Sequence, residues 1–359
     1  MAQVICDYSA GMKEDDKVLI QSTTLAVPLI EAIYKESLIR GAHPEIYLNT
    51  DNLQSIFYAY AKDHQLDYTS PFIKYYMEEL DVIIMIMAEH NLKHLTNVDP
   101  QKIGRRSKAQ EPITATALQR IQEGTLQYTL TVHPTHAMAQ EASLSLLEYQ
   151  DFVYRACFVD RPDPVAEWKN LSEDQERIVN YLNGKSELHI VGEDTDLNVK
   201  TKGRTWVNSD GKRNLPSGEV FTGPVEDSLE GTIRFTYPGI YMGKEVEDIT
   251  LTFEKGVVVR ASAKMGEDFL QEMLKVDEGA KRVGEVAIGM NYGITTFTKN
   301  ILFDEKIGGT IHLALGRSLP DTGGINESAI HWDLLKNMES GGKLYADGEL
   351  FYENGKVII

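Results

Sequence analysis

Residues 17 to 49 run strand, helix, strand, and this unit constrains the fold of the N-terminal half more than any other feature of the chain. Val18–Gln21 reads as a short apolar strand. Pro28–Arg40 reads as an amphipathic helix with Leu29, Ile33 and Leu38 among its apolar positions, Gly41 as its stop, and Glu45–Leu48 as the second strand. Strands joined through a helix pair in parallel, because the crossover returns the chain to the same end of the sheet. Val82–Ala88 and Gln127–Val132 extend the pattern, separated from their neighbours by helix-like segments such as Ile56–Ala61 and Ala115–Gln122. The expectation is an α/β domain with an open parallel, Rossmann-like sheet. No GxGxxG or GxxxxGK[ST] follows these strands, so a nucleotide function has little local support.

Past a linker around Asp160–Asp163, or past the helix Pro164–Asn183 that ends at Gly184, the texture changes. Leu188–Val191, Thr232–Thr236, Thr250–Phe253, Val257–Ala261, Val286–Ile288 and Ile311–Leu315 are short, β-rich and punctuated by glycine, with one helix expected at Glu267–Arg282. This reads as an α+β domain dominated by antiparallel strands. The expected division is 1–185 and 186–359.

Composition bounds the partners. Among 359 residues, 54 acidic side chains oppose 36 basic ones, a formal charge of −18 spread through both halves. Nucleic acid and anionic membranes repel such a surface. The basic cluster Lys102, Arg105, Arg106 and Lys108 has no interleaved aromatics and reads as a solvated face. Cys6 and Cys157 lack a partner motif, which excludes CxxC metal sites and predicts reduced thiols. The longest apolar run, Val82–Ala88, has strand length, and residues 1–20 lack a leader pattern, so the expected location is the cytoplasm.

The histidines of the first half are weak candidates for chemistry. His90 and His94 have helical ligand spacing but no acid between them, and His133 and His136 are interrupted by proline. The second half differs. Asn-Leu-Pro-Ser-Gly-Glu-Val-Phe-Thr (214–222), Gly-Glu-Val-Ala (284–287), Leu-Phe-Asp-Glu-Lys (302–306), Ile-His-Leu-Ala-Leu-Gly (311–316) and Asn-Glu-Ser-Ala-Ile-His-Trp-Asp (326–333) each set a carboxylate or imidazole among apolar or glycine-rich neighbours. An ionised carboxylate buried without a partner costs many kcal/mol, so such acids need a cation. His331 and Asp333 are two apart in a strand-like segment and share a face, with Trp332 on the other. Glu219, Glu285, Glu305, Asp333, His312 and His331 together carry a formal charge of −4 with neutral imidazoles, which two divalent cations would neutralise. Oxygen-rich ligation with imidazole suits Zn²⁺, Co²⁺ or Mn²⁺. From spacing alone, the same segments are equally compatible with salt-bridged acids and core histidines.

Read in order, these segments resemble the aminopeptidase T family of metallo-exopeptidases, which includes aminopeptidase S and PepS. The likeness extends to Asp-Tyr-Ser at 7–9, Gly-Ala-His-Pro at 41–44, Thr-Asp-Leu at 195–197 and Gly-Arg-Thr-Trp at 203–206. The resemblance implies a dinuclear site fed by Glu219, Glu285, Glu305, His312, His331 and Asp333, with Glu285 bridging. It also implies a homodimer, an N-terminal α/β domain with a C-terminal catalytic domain, and peptide substrates with a free N-terminus. Two positions depart from the pattern. Leu319 stands where the family has a tyrosine seven residues after the first histidine, and the loop Lys-Ile-Gly-Gly-Thr-Ile between Glu305 and His312 is longer.

The mechanism so implied is hydrolysis of the N-terminal peptide bond by a metal-activated water, with Glu305 or Glu219 accepting its proton. Arg317 or Tyr292 would stand in for the missing tyrosine. Two other readings compete: a metal-dependent amidase on a non-peptide substrate, and a catalytically weakened metal-binding dimer marked by Leu319.

Overall fold

Near-continuous burial along Lys17–Thr23 and Val82–Met87 makes these inner strands of a parallel sheet in a computed structural model that describes residues 1–50 and 52–359. Among the described residues the sheet runs, edge to edge, His43–Asn49, Lys17–Thr23, Val82–Met87, Gln127–Val132 and Asn214–Leu215, all parallel. It belongs to a compact unit formed by Met1–Val165 with Gly211–Pro216. The second strand is longer than expected at both ends. Helix Val27–Ile39 buries Leu29, Ile30 and Ile33 against this sheet, while Leu38, expected on the apolar face, is exposed.

The helix expected at Ala115–Gln122 begins much earlier, at Pro100. Its first half carries the basic cluster and little apolar signal, and is held by polar contacts instead. Arg105 pairs with Asp63 and Asp67 at 2.6 Å, Lys102 Nζ donates to the Tyr58 carbonyl at 2.7 Å, and Arg106 lies over the Phe57 ring. Three of the four basic side chains of that cluster therefore have partners within the chain.

The second unit comprises Ala166–Asp210 and Ser217–Ile359, so most of the helix Pro164–Asn183, expected N-terminal to the boundary at 185, groups with the strands that follow it. Two antiparallel sheets dominate it. The larger runs, edge to edge, through strands 257–262, 250–254, 230–234, 195–200, 187–192, 343–346, 349–353 and 356–357. The smaller runs His331–Asn337, Thr310–Gly316, Val283–Gly289, Glu219–Thr222 and Val207–Ser209. Leu188, Ile190, Leu197, Leu251 and Phe253 of the first share a core with Val220, Val286, Ile288, Ile311, Leu313, Leu315, Trp332 and Leu334 of the second. Period-2 alternation puts the neighbours of these core residues on the opposite face of the smaller sheet.

The helix expected at Glu267–Arg282 is shorter. It ends at Met273 and the chain turns through Lys275 and Val276 to a single 3₁₀ turn at Gly279–Lys281. The cause is Asp277, whose carboxylate accepts hydrogen bonds from Ala280 N, Ser328 Oγ and Ala329 N and so diverts the backbone from a helical path.

Candidate metal centre

On the face of the smaller sheet away from the core, register brings the candidate residues together. Glu285, Ala314 and Asp333 form one cross-strand row. Ala287 opposes His312, Gly289 opposes Glu219, and Gly316 opposes His331. Each polar side chain thus faces a glycine or alanine, which leaves the space over the sheet to the carboxylates and imidazoles.

The sixth residue, Glu305, comes from outside the sheet. It caps the short helix Ile301–Asp304, which starts at Asn300, whose side chain accepts from Leu302 N. Asp304 anchors this helix: its Oδ1 accepts from Thr298 N at 2.7 Å and Thr298 Oγ1 at 3.0 Å, and burial pushes its carboxyl up to about 7. Lys306 follows, its backbone clamped by N–H donation to Phe303 O and by acceptance from Asn291 N.

All six side chains converge. His312 Nε2 lies 3.4 Å from Glu285 Oε1, 3.7 Å from Glu219 Oε2 and 3.9 Å from Asp333 Oδ1. His331 Nε2 lies 3.4 Å from Glu285 Oε2 and 3.6 Å from Asp333 Oδ1. Three overlapping groups, Glu219–Glu285–His312, Glu285–His331–Asp333 and Glu305–His312–Asp333, each place one donor atom per residue within 4.8 Å of the others. His331 Nδ1 donates to the Arg317 carbonyl at 2.8 Å, which turns Nε2 towards the carboxylates. His312 is fully buried, whereas 30% of the His331 side chain is exposed, so the cluster opens at His331.

The electrostatics follow from crowding these charges together. Burial raises Glu219 to about 7 and Asp333 to about 6, against the attraction of neighbouring cationic groups. Glu285 goes the other way, its burial outweighed by the two imidazoles, to about 2. Burial opposes charge on His312 and His331 too, but the carboxylates around them win and push them up to about 9 and about 10. Protons and imidazolium charge therefore offset the crowded carboxylate charge. Glu219 Oε2 and Asp333 Oδ1 are nevertheless buried without a hydrogen-bond partner. Buried polar atoms are rarely left so. Carboxylate and imidazole donors oriented this way fit a divalent cation.

Sequence reasoning missed one member, Lys306. Its side chain is fully buried, its ammonium contacts Glu305 Oε1 and lies 3.5 Å from Glu219 Oε1, and those carboxylates hold it charged against the cost of burial. A lysine beside two acids looks like a solvated charge in the sequence. The signal that could have found it was its place between Phe303 and Ile307, both apolar.

The remaining candidates lie elsewhere in their chemistry. His94 is held by Asn91 O and Gln54 Oε1 in a non-helical stretch, and among the described residues neither first-half histidine pair joins a metal-competent group. The Tyr292 hydroxyl donates to Gly355 O and Arg317 Nε donates to Ser328 O, so these donors, considered in place of the family tyrosine, have other partners. Leu319 is half-buried and leads into the turn Pro320–Thr322. Cys6 and Cys157 are both buried, and no helix among the described residues is long and apolar enough to cross a membrane.

A buried, carboxylate-rich cluster with two imidazoles, laid over one face of an antiparallel sheet and set to exchange protons for a cation, defines a metal-dependent hydrolase. The chain belongs to the thermophilic metalloprotease (M29) family, which it matches over residues 1–357. Aminopeptidase T of Thermus thermophilus is 32% identical over 71% of this chain and 71% of that protein. Aminopeptidase 2 of Geobacillus stearothermophilus is 28% identical over 93% of this chain and 90% of that protein. The solved structure of wild-type AmpT from Thermus thermophilus shares the fold, with a TM-score of 0.84 and 24% identity over 100% of this chain and 98% of that one.

Proposed function

We propose that the chain is a metal-dependent aminopeptidase that hydrolyses the N-terminal peptide bond of peptides at the cluster formed by Glu219, Glu285, Glu305, His312, His331 and Asp333. The observation that carries this is the convergence of these six side chains with buried, unpartnered carboxylate oxygens among them. The family resemblance implies two divalent ions, drawn from Zn²⁺, Co²⁺ and Mn²⁺, which these carboxylates and imidazoles would hold, with Glu285, between the two imidazoles, as a shared ligand. When bound, such ions supply Lewis acidity for the scissile carbonyl and lower the pKa of the attacking water.

The chain's own residues do the rest. His312 and His331 would ligate as neutral imidazoles, and the Arg317 carbonyl fixes the tautomer of His331. Glu305 is the general base: it is more exposed than Glu219, and with Oε1 held by Lys306 its other oxygen takes the water's proton and returns it to the leaving amine. The sheet below excludes water, since Val286, Leu313 and Leu334 fill its other face. The substrate enters past His331. The enzyme is read as a cytoplasmic homodimer, the assembly implied by the family resemblance.

Turnover tests this directly. Aminoacyl-p-nitroanilides should be cleaved by chelator-stripped protein only after Co²⁺, Mn²⁺ or Zn²⁺ is restored, and an N-acetylated peptide should resist while its free-amine twin is shortened by one residue. Equal cleavage of both peptides, or full activity in excess chelator, would reject the reading. Gel filtration with light scattering reports the dimer.

A further inference from the structure

Lys306 divides the cluster into two unequal halves. Its ammonium touches Glu305 Oε1 and stands 3.5 Å from Glu219 Oε1, with no part of the side chain exposed. Its backbone is clamped by Phe303 O and Asn291 N. Of the three donor groups, Glu219–Glu285–His312 and Glu305–His312–Asp333 each contain a carboxylate that Lys306 contacts, and only Glu285–His331–Asp333 contains none. An ammonium and a divalent cation compete for the same carboxylate lone pairs and repel each other at close range.

The charge count agrees. With neutral imidazoles, four carboxylates and one ammonium carry three net negative charges; one divalent ion leaves a single negative charge and a second turns a buried site positive. Resting on the metal-enzyme reading above, we propose that Lys306 is a built-in counter-cation for Glu219 and Glu305, so that the chain holds one divalent ion tightly at Glu285, His331 and Asp333 and a second more weakly by at least ~10-fold. The weaker ion binds where it must share Glu219 or Glu305 with the lysine.

Metal titration of the chelator-stripped full chain with Mn²⁺, by calorimetry and by equilibrium dialysis with elemental analysis, tests this without reference to turnover. The wild type should show one tight equivalent and a second at least ~10-fold weaker. Lys306→Met, which removes the charge at similar volume, should tighten the second equivalent by at least ~10-fold, while Lys306→Arg, which keeps the charge, should leave it weak. Two equivalents of equal affinity in the wild type would overturn the proposal whatever the variants do, as would an unchanged second equivalent in a folded Lys306→Met protein. A wild type that binds no ion at all would instead overturn the metal-enzyme reading on which the proposal stands.

Discussion

Replacing Glu285 with glutamine tests the centre at a carboxylate that faces both imidazoles. Each Glu285 oxygen lies 3.4 Å from a different imidazole, and the residue belongs to two of the three donor groups. The substitution keeps shape and removes one charge. At an effective dielectric near 20, unit charges about 4 Å apart interact by about 4 kcal/mol, so a divalent ion loses roughly 8 kcal/mol of gross attraction. Relief from burying an ionised carboxylate returns several kcal/mol of this. A net loss of about 3 to 4 kcal/mol remains, or two to three orders of magnitude in metal Kd. The assay is competition with a chromophoric chelator at fixed pH, with circular dichroism to show that the sheet is intact. Activity should vanish at metal concentrations that saturate the wild type. Wild-type affinity and turnover in a folded Glu285→Gln protein would refute both the placement of Glu285 as shared ligand and the electrostatic reasoning behind it.

Metal-free stability should fall between about pH 6.5 and 10, because His312 and His331 are raised to about 9 and about 10 and their contribution, complete below the ordinary histidine pKa of about 6.5, is lost as pH rises through the folded values. Glu219 and Asp333, also raised, act in the same direction. Metal affinity should rise over that range as the protons leave, so a Tm in chelator that climbs with pH would contradict the assignment. Gly289→Ala should disturb the loop carrying Glu305 and Lys306, since its Cβ would collide with the Ile307 carbonyl; lowered Tm with impaired metal binding is expected, and an unchanged Tm would count against it. Leu319→Tyr should raise kcat with little change in KM if a hydroxyl there aids the oxyanion, by up to the ~2.7 to 4 kcal/mol that one such donor contributes elsewhere. No gain in a metal-loaded variant would show that this chain does without it. Trp332→Ala, which empties a fully buried site against Tyr241 and Phe269, should cost about 3 to 5 kcal/mol of stability by chemical denaturation.

Patterns of period two and of period near 3.6 are local properties, and the sequence by itself determined whatever depends on them. The strand–helix–strand unit at 17–49, the parallel run through Val82 and Gln127, the β-rich second half, and the placement of His331 and Asp333 on one face opposite Trp332 were all legible in this way. The acids set among apolar neighbours likewise announced a need for positive charge. Tertiary structure decided the rest, because it depends on which strands pair and in what register. Register alone sets Glu285 beside Asp333 across Ala314, and Glu219 opposite Gly289. The helix after Glu267 stops where Asp277 finds donors more than fifty residues away, which no local propensity encodes. Lys306 is the clearest instance: next to Glu305 it reads as an ordinary surface charge, and only the fold, by burying it between Glu305 and Glu219, makes it part of the centre.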